Sequence, residues 1–234
     1  MVMKRSSRAA KPRLLKDSLG SDSTRELTSL IQQACLVAKD SAANGCEFIA
    51  NSSKMAFLAV KDCEKELDRI ERQVDEKITQ AITEVTEDEA RQLLACLKFS
   101  TDLERVGDLA WTATKQIHGL PDPLHPEDRR DLAEMARVLE QMLDRAYEGF
   151  RDHNVDAAAW VLKTDARMNQ TCHSVFQRHL GGEEREREYS TTLLFAAQAL
   201  ERAGDHAKNL AEEVFHLVEG RSLRHELKRR RPGT

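Results

Sequence analysis

The octapeptide LERVGDLA at residues 103–110 returns as LERAGDHA at residues 200–207, with six of eight positions identical and the copies offset by 97 residues. A match of that length at one fixed distance points to duplication. The fold must then be built from two similar halves. Apolar residues around both copies recur every three or four positions, which places each copy on an amphipathic helix. A helix that keeps a glycine gives up about 1 kcal/mol relative to alanine. Keeping Gly107 and Gly204 at the same place in both copies implies close approach by a packed neighbour or by a ligand.

Composition agrees with helices. Ten glycines, five prolines and 5% aromatics are few for a sheet protein, whereas Ala, Leu, Glu, Arg, Lys and Gln dominate. Six helical segments can be read. The first runs from about Ser23 to Ala50 and ends at NSSKM. The second runs from about Ser53 to Glu84, with an apolar seam at Ala56, Val60, Cys63, Leu67, Ile70, Val74, Ile78 and Ile82. Thr86 and Glu89 fit a capping box opening the third, whose seam is Phe99, Leu103, Val106, Ala110, Ala113 and Ile117. The stretch HGLPDPLHPED (118–128) is the clearest break. Helix four then spans about Glu127 to Asp152, helix five follows DHNVD and runs to about Leu180, and helix six follows the charged turn GGEERERE. The expected fold is all-α: two tandem, duplicated antiparallel three-helix bundles over residues 22–119 and 126–220.

The net charge of −4 conceals a polarity. Residues 1–21 and 221–234 each carry six Lys/Arg and one acid, leaving 24 basic against 38 acidic residues between them, or about −14. Both tails are expected to be solvated and disordered. No run reaches the ~18 apolar residues of a membrane span, and the basic N-terminus lacks the apolar stretch of a secretory signal. The five cysteines, Cys35, Cys46, Cys63, Cys96 and Cys172, form no C-x-x-C pair and read as buried thiols in a reducing cytoplasm.

The acid–x3–acid pairs gain meaning from their place. With 40 acids in the chain, about seven such pairs arise by chance. Glu104/Asp108 and Glu201/Asp205, however, each lie roughly one residue beyond a seam position, at the rim where neighbouring helices meet. On helix two, Glu64 and Asp68 do the same after Cys63 and Leu67, and Glu71 and Asp75 extend that stripe. Like charges stacked at i and i+4 repel. A bound cation cancels that cost, and carboxylates alone suit Mg²⁺, Ca²⁺, Mn²⁺ or iron. The alternative is a solvated face, or pairing with Arg69, Arg72, Arg105 and Arg202.

DLERVGDLA and ALERAGDHAKNLAEE resemble the signature of the PhoU family of phosphate-uptake regulators, over most of residues 23–220. The resemblance implies two tandem three-helix bundles and surface metal clusters, commonly iron, on acid–x3–Asp motifs. It also implies a cytoplasmic, non-enzymatic negative regulator that links a phosphate ABC transporter ATPase to a sensor histidine kinase. Such a protein is peripheral to the membrane through its partners, and a homodimer is one assembly open to it. Carried over by position, one metal cluster would use Glu64, Asp68, Glu104 and Asp108, and the other Asp165, Asn169, Glu201 and Asp205. His206 and Asn209 match the GDHAxN ending. The first half departs from that ending at Leu109 and Thr112, and the second half has Asn169 where an acid is expected. Lys98 and Asp102 match the K-x3-D-L-E-R approach, where the second half has Phe195 and Ala199.

Two other functions compete. A ferritin-type di-metal carboxylate enzyme needs two E-x-x-H pairs, and only Glu213/His216 stands on a helix. A helical adaptor of another ion or phosphate transporter fits the composition equally well. Direct DNA binding is not expected from an acidic body without a recognition module. Of the histidines, only His206 lies on the repeated motif; His118, His125, His153, His173, His179, His216 and His225 read as background.

Overall fold

A computed structural model describes residues 22–83, 86–180 and 187–220. Both basic tails and most of the GGEERERE turn lie outside the described residues. Six α-helices follow in order: α1 (Asp22–Asn51), α2 (Lys54–Ala81), α3 (Glu87–His118), α4 (Pro126–Asp152), α5 (Val155–His179) and α6 (Arg187–Glu219). No strand occurs among the described residues.

Local chemistry sets the helix ends. Ser53 caps α2 by accepting from the Ala56 amide, and Asn154 caps α5 by accepting from Asp156 and Ala157. The turns before these caps place Ser52 and His153 in the left-handed region, both at φ 54°. Thr86 and Glu89 form the expected capping box on α3. Helix α2 stops at Ala81, slightly short of the expected end. Pro126 opens α4, where a missing amide costs nothing.

Helices α1, α2 and α3 pack on one another, and so do α4, α5 and α6. The halves also lie side by side, α1 against α4 and α3 against α6. Burial shows why. Helix α2 buries a narrow stripe, Val60, Leu67, Ile70, Val74 and Ile78, and touches only its own half. Helices α1, α4 and α6 bury wider faces that serve three neighbours each. Small residues line the α1 face, including Ala34, Ala38, Ala42 and Gly45, and they let helices approach closely. Cys46 Sγ lies 3.4 Å from the Ala133 carbonyl across the α1–α4 seam, and Phe99 meets Phe150 at 4.5 Å between α3 and α4. The outcome is one continuous apolar core drawn from all six helices.

The cysteines are free thiols. Cys35, Cys96 and Cys172 are buried and Cys46 and Cys63 partly so. Burial pushes the Cys63 and Cys172 thiols up to about 11 and that of Cys96 to about 12, so they are poor nucleophiles.

Candidate functional site

The two glycines are explained by helix packing. A Cβ on Gly107 would stand 2.6 Å from Leu67 Cδ1, and one on Gly204 would stand 3.2 Å from Met168 Cγ. Each glycine is therefore the seat of a large side chain from the outer helix of its own half. The pairing also fixes the correspondence between halves. Positions on α3 and α6 are offset by 97, and Leu67 on α2 matches Met168 on α5, an offset of 101.

Beside Gly107 lies the first acidic cluster. Burial raises the Glu104 carboxyl to about 7, and the neighbouring charges of Asp108 and Glu71 push the same way against Arg105. Glu104 Oε2 is buried and makes no hydrogen bond, although Arg105 Nε lies 3.3 Å away. Arg105 also reaches Asp108 at 3.3 Å. Burial likewise raises Glu71, which accepts a hydrogen bond from Thr101. Asp68 pairs with Arg72 at 2.7 Å, and Glu64 is half-buried on the same side of α2. The α2 acid next to Glu104 is thus Glu71, which the motif match passed over because its stripe extends one turn beyond Glu64 and Asp68. Among the described residues, no three acidic, histidine or cysteine side chains are drawn together into a coordination group.

The second cluster is built differently. Burial raises Glu201, reinforced by Asp205 and Asp165 and opposed by Arg202 and Lys208. Asp165 is buried, and its Oδ2 accepts from Lys208 Nζ at 2.7 Å and from Asn169 Nδ2 at 3.4 Å. Its Oδ1 has no hydrogen-bond partner. The Asp165 contact raises the Lys208 ammonium above its ordinary value, with Asp205 and Glu212 adding to the effect. Asn169 and Asp205 are exposed at the edge.

Between the halves runs an antiparallel α3–α6 seam that carries a polar clasp. Asp102 Oδ1 meets His206 Nδ1 at 2.7 Å and accepts from Asn209 Nδ2 at 3.1 Å. One turn on, Lys98 Nζ pairs with Glu213 at 2.8 Å, with Glu213 nearly buried. The Glu213 carboxylate of the lone E-x-x-H is therefore engaged by a lysine of the other half. The positions that correspond by the offset of 97 are Ala199, Leu109, Thr112 and Phe195. With Gln116 they line an open groove at the other end of the seam. The departures of the two motif copies thus belong together: one clasp is kept whole and its counterpart has become a groove. Beside it, Arg105, Lys115, Arg202 and His206 line a shallow cleft with Asp108 and Trp111.

A third polar node ties the ends of α4, α5 and α6. Asp128 is 1% exposed and is held by Arg178, His179 and Tyr189. Although burial acts to raise it, hydrogen bonds from His179 and Arg178 hold Asp128 below the ordinary carboxylate value. His179 also reaches Ser190 Oγ at 3.1 Å, which completes a Ser–His–Asp arrangement. Ser190 is only 7% exposed and lies within the helix junction, so the arrangement serves as an end lock.

Comparison with known proteins agrees with this architecture. The PhoU domain family model matches residues 31–117 and 132–214. The chain is 26% identical over 213 residues to the Thermotoga maritima phosphate-specific transport system accessory protein PhoU homolog 1, covering 87% of this chain and 92% of that protein. It is 30% identical over 170 residues to a Burkholderia phosphate-specific transport system accessory protein PhoU homolog, covering 69% and 72% of the two chains. The crystal structure of PhoU from Pseudomonas aeruginosa superposes with a TM-score of 0.78 at 20% identity, covering 85% of this chain and 98% of that one. PhoU from Streptococcus pneumoniae gives 0.77 at 17% identity, covering 86% and 97%. With a family match in each half, and a duplicated helical architecture that superposes on solved members, the chain belongs to the PhoU family.

Proposed function

We propose that this protein restrains phosphate uptake and phosphate-starvation signalling from the cytoplasm. It acts without catalysis, by docking to the ATPase of a phosphate ABC transporter and to a sensor histidine kinase. The observation that carries this reading is the family match in both halves, together with relatives named as accessory proteins of the phosphate-specific transport system. No described helix is long and apolar enough to cross a membrane, so membrane association would come through partners.

The first acidic cluster has the donor chemistry of a metal site, with side chains that are not drawn together into a coordination group in this structure. Glu104 Oε2 is buried without a hydrogen bond, with Arg105 Nε 3.3 Å away, and the oxygen ligands nearby are carboxylates, which favour hard cations and iron. Glu104, Asp108, Glu64, Asp68 and Glu71 are the residues that would hold it. When bound, the metal supplies positive charge that relieves carboxylate repulsion and braces α2 against α3. The chain's own residues present the surface: α2 and α5 lie outermost, and the rim acids lie along their edges.

The test is genetic and biochemical. Cells lacking the chain should express phosphate-starvation genes in high phosphate, and a pull-down from wild-type cells should recover the transporter ATPase. Normal repression in the deletion strain, with capture of an unrelated transporter instead, would favour the adaptor reading.

A further inference from the structure

We infer that the second acidic cluster is closed by the chain's own Lys208 and takes no metal, so that any metal bound by this protein sits at the first cluster alone. The inference deepens the metal reading of the first cluster and rests on it only for the site being compared.

Three positions carry the argument. The offset of 101 sets Asn169 opposite Asp68 and Cys172 opposite Glu71. The offset of 97 sets Lys208 opposite Trp111. Every one of these changes removes negative charge or adds positive charge. The α2–α3 rim of the first half carries five carboxylates, Glu64, Asp68, Glu71, Glu104 and Asp108, against Arg72 and Arg105. The second retains three, Asp165, Glu201 and Asp205, against Arg202 and Lys208. Over these groups formal charge is −3 at the first cluster and −1 at the second; Glu212 near Lys208, and Lys115 beside Asp108, narrow that difference, so the deciding feature is Lys208 seated on Asp165.

Geometry points the same way. Lys208 Nζ lies 2.7 Å from Asp165 Oδ2, the most buried acid of the second cluster, and its side chain is 35% exposed against 8% for Asp165. A metal using that oxygen would have to expel a cation that is already hydrogen-bonded there. Leaving it in place would hold two positive charges close together. The free Asp165 Oδ1 is the one feature that favours a ligand, and the adjacent Cys172 is a buried, protonated thiol that offers no hard donor. At the first cluster, Trp111 can supply no ammonium, and Lys61 lies over its ring at 6.0 Å.

Fe²⁺ added anaerobically to the purified full chain provides the test, with bound metal measured after desalting. Asp165→Asn and Glu201→Gln should leave bound iron unchanged, whereas Glu104→Gln with Asp108→Asn should remove it. A triple variant, Asn169→Asp, Cys172→Glu and Lys208→Met, should raise bound iron roughly twofold by rebuilding the first cluster in the second half. Loss of iron in Asp165→Asn alone overturns the inference. Because these variants can perturb folding, a second arm uses the unaltered chain: acylation of Lys208, followed by mass spectrometry, should be slow and unchanged by Fe²⁺. Faster acylation on adding Fe²⁺ means that metal displaces Lys208, and it overturns the inference too. If the wild-type chain binds no iron, the metal reading of the first cluster fails. Slow acylation of Lys208 together with no iron uptake at the second cluster still supports its closure.

Discussion

His206, in the second copy of the repeated motif, meets Asp102, one residue before the first copy, with Nδ1 2.7 Å from Oδ1. The two halves are thus tied through the motif itself. Asn209 adds a hydrogen bond to the same oxygen, and Lys98–Glu213 extends the tie. Asp102→Ala should destabilise the fold by about 1–2 kcal/mol, the range for hydrogen bonds to a charged group that is partly exposed. A double-mutant cycle with His206→Ala, followed by urea denaturation, should show a coupling of about 1 kcal/mol. Additive single effects would mean that the contact does not join the halves.

Replacing Gly107 with alanine should cost stability, because Leu67 Cδ1 lies 2.6 Å from the new methyl and Leu67 is buried. Overpacking of about 1–3 kcal/mol outweighs a helix-propensity gain of about 1 kcal/mol. Gly204→Ala should be close to neutral, since it meets the flexible Met168 at 3.2 Å. Thermal denaturation of the two variants should separate them in that order.

Glu104 gives the metal-free protein a characteristic response to pH. Its folded value is raised to about 7 by burial and by Asp108, above the unfolded value of about 4.3. A raised acid opposes folding once it ionises, so this contribution to stability falls as pH rises from the unfolded value through 7 and then levels off. Glu104→Gln should therefore stabilise the chelator-treated protein more at pH 8 than at pH 5. Equal effects at both pH values would show that Glu104 is not shifted. For the same reason, metal uptake at this cluster should release a proton below pH 7, and proton release should vanish in the variant.

Asp128 behaves in the opposite sense. Its folded value lies below the unfolded one because His179 and Arg178 overcome the effect of burial. Its stabilisation is present above about pH 4 and is lost as pH falls through the lowered folded value. Asp128→Asn should cost about 2–3 kcal/mol at pH 7 and make the acid limb of the stability profile shallower. A variant as stable as the parent at pH 7 would show that the end lock contributes little.

Much of the architecture was legible along the chain. The seams, the Thr86–Glu89 box and the proline-rich joint located six helices, because capping and periodicity are local. The repeated octapeptide implied two equivalent halves, and the family match spans both. Which acids stand together was less legible. Spacing marked Glu64, Asp68, Glu71 and Asp75 alike and the family resemblance chose Glu64 and Asp68, yet the antiparallel pairing of α2 and α3 brings Glu71 beside Glu104. Lys208 carried no signal of its own until folding set it against Asp165.

Periodicity by itself determined helix type, number and approximate ends, since a helix's apolar stripe is written in consecutive residues. Only the tertiary structure decided which stripe meets which. It set α1 on α4 and α3 on α6, merged two expected cores into one, and joined Asp102 to His206 across 104 positions. Those choices depend on shape and charge matching between residues far apart in the chain, and no local pattern records them. The same matching gave the two acidic clusters different neighbours, a buried Glu104 oxygen without a hydrogen bond in one and a lysine in the other.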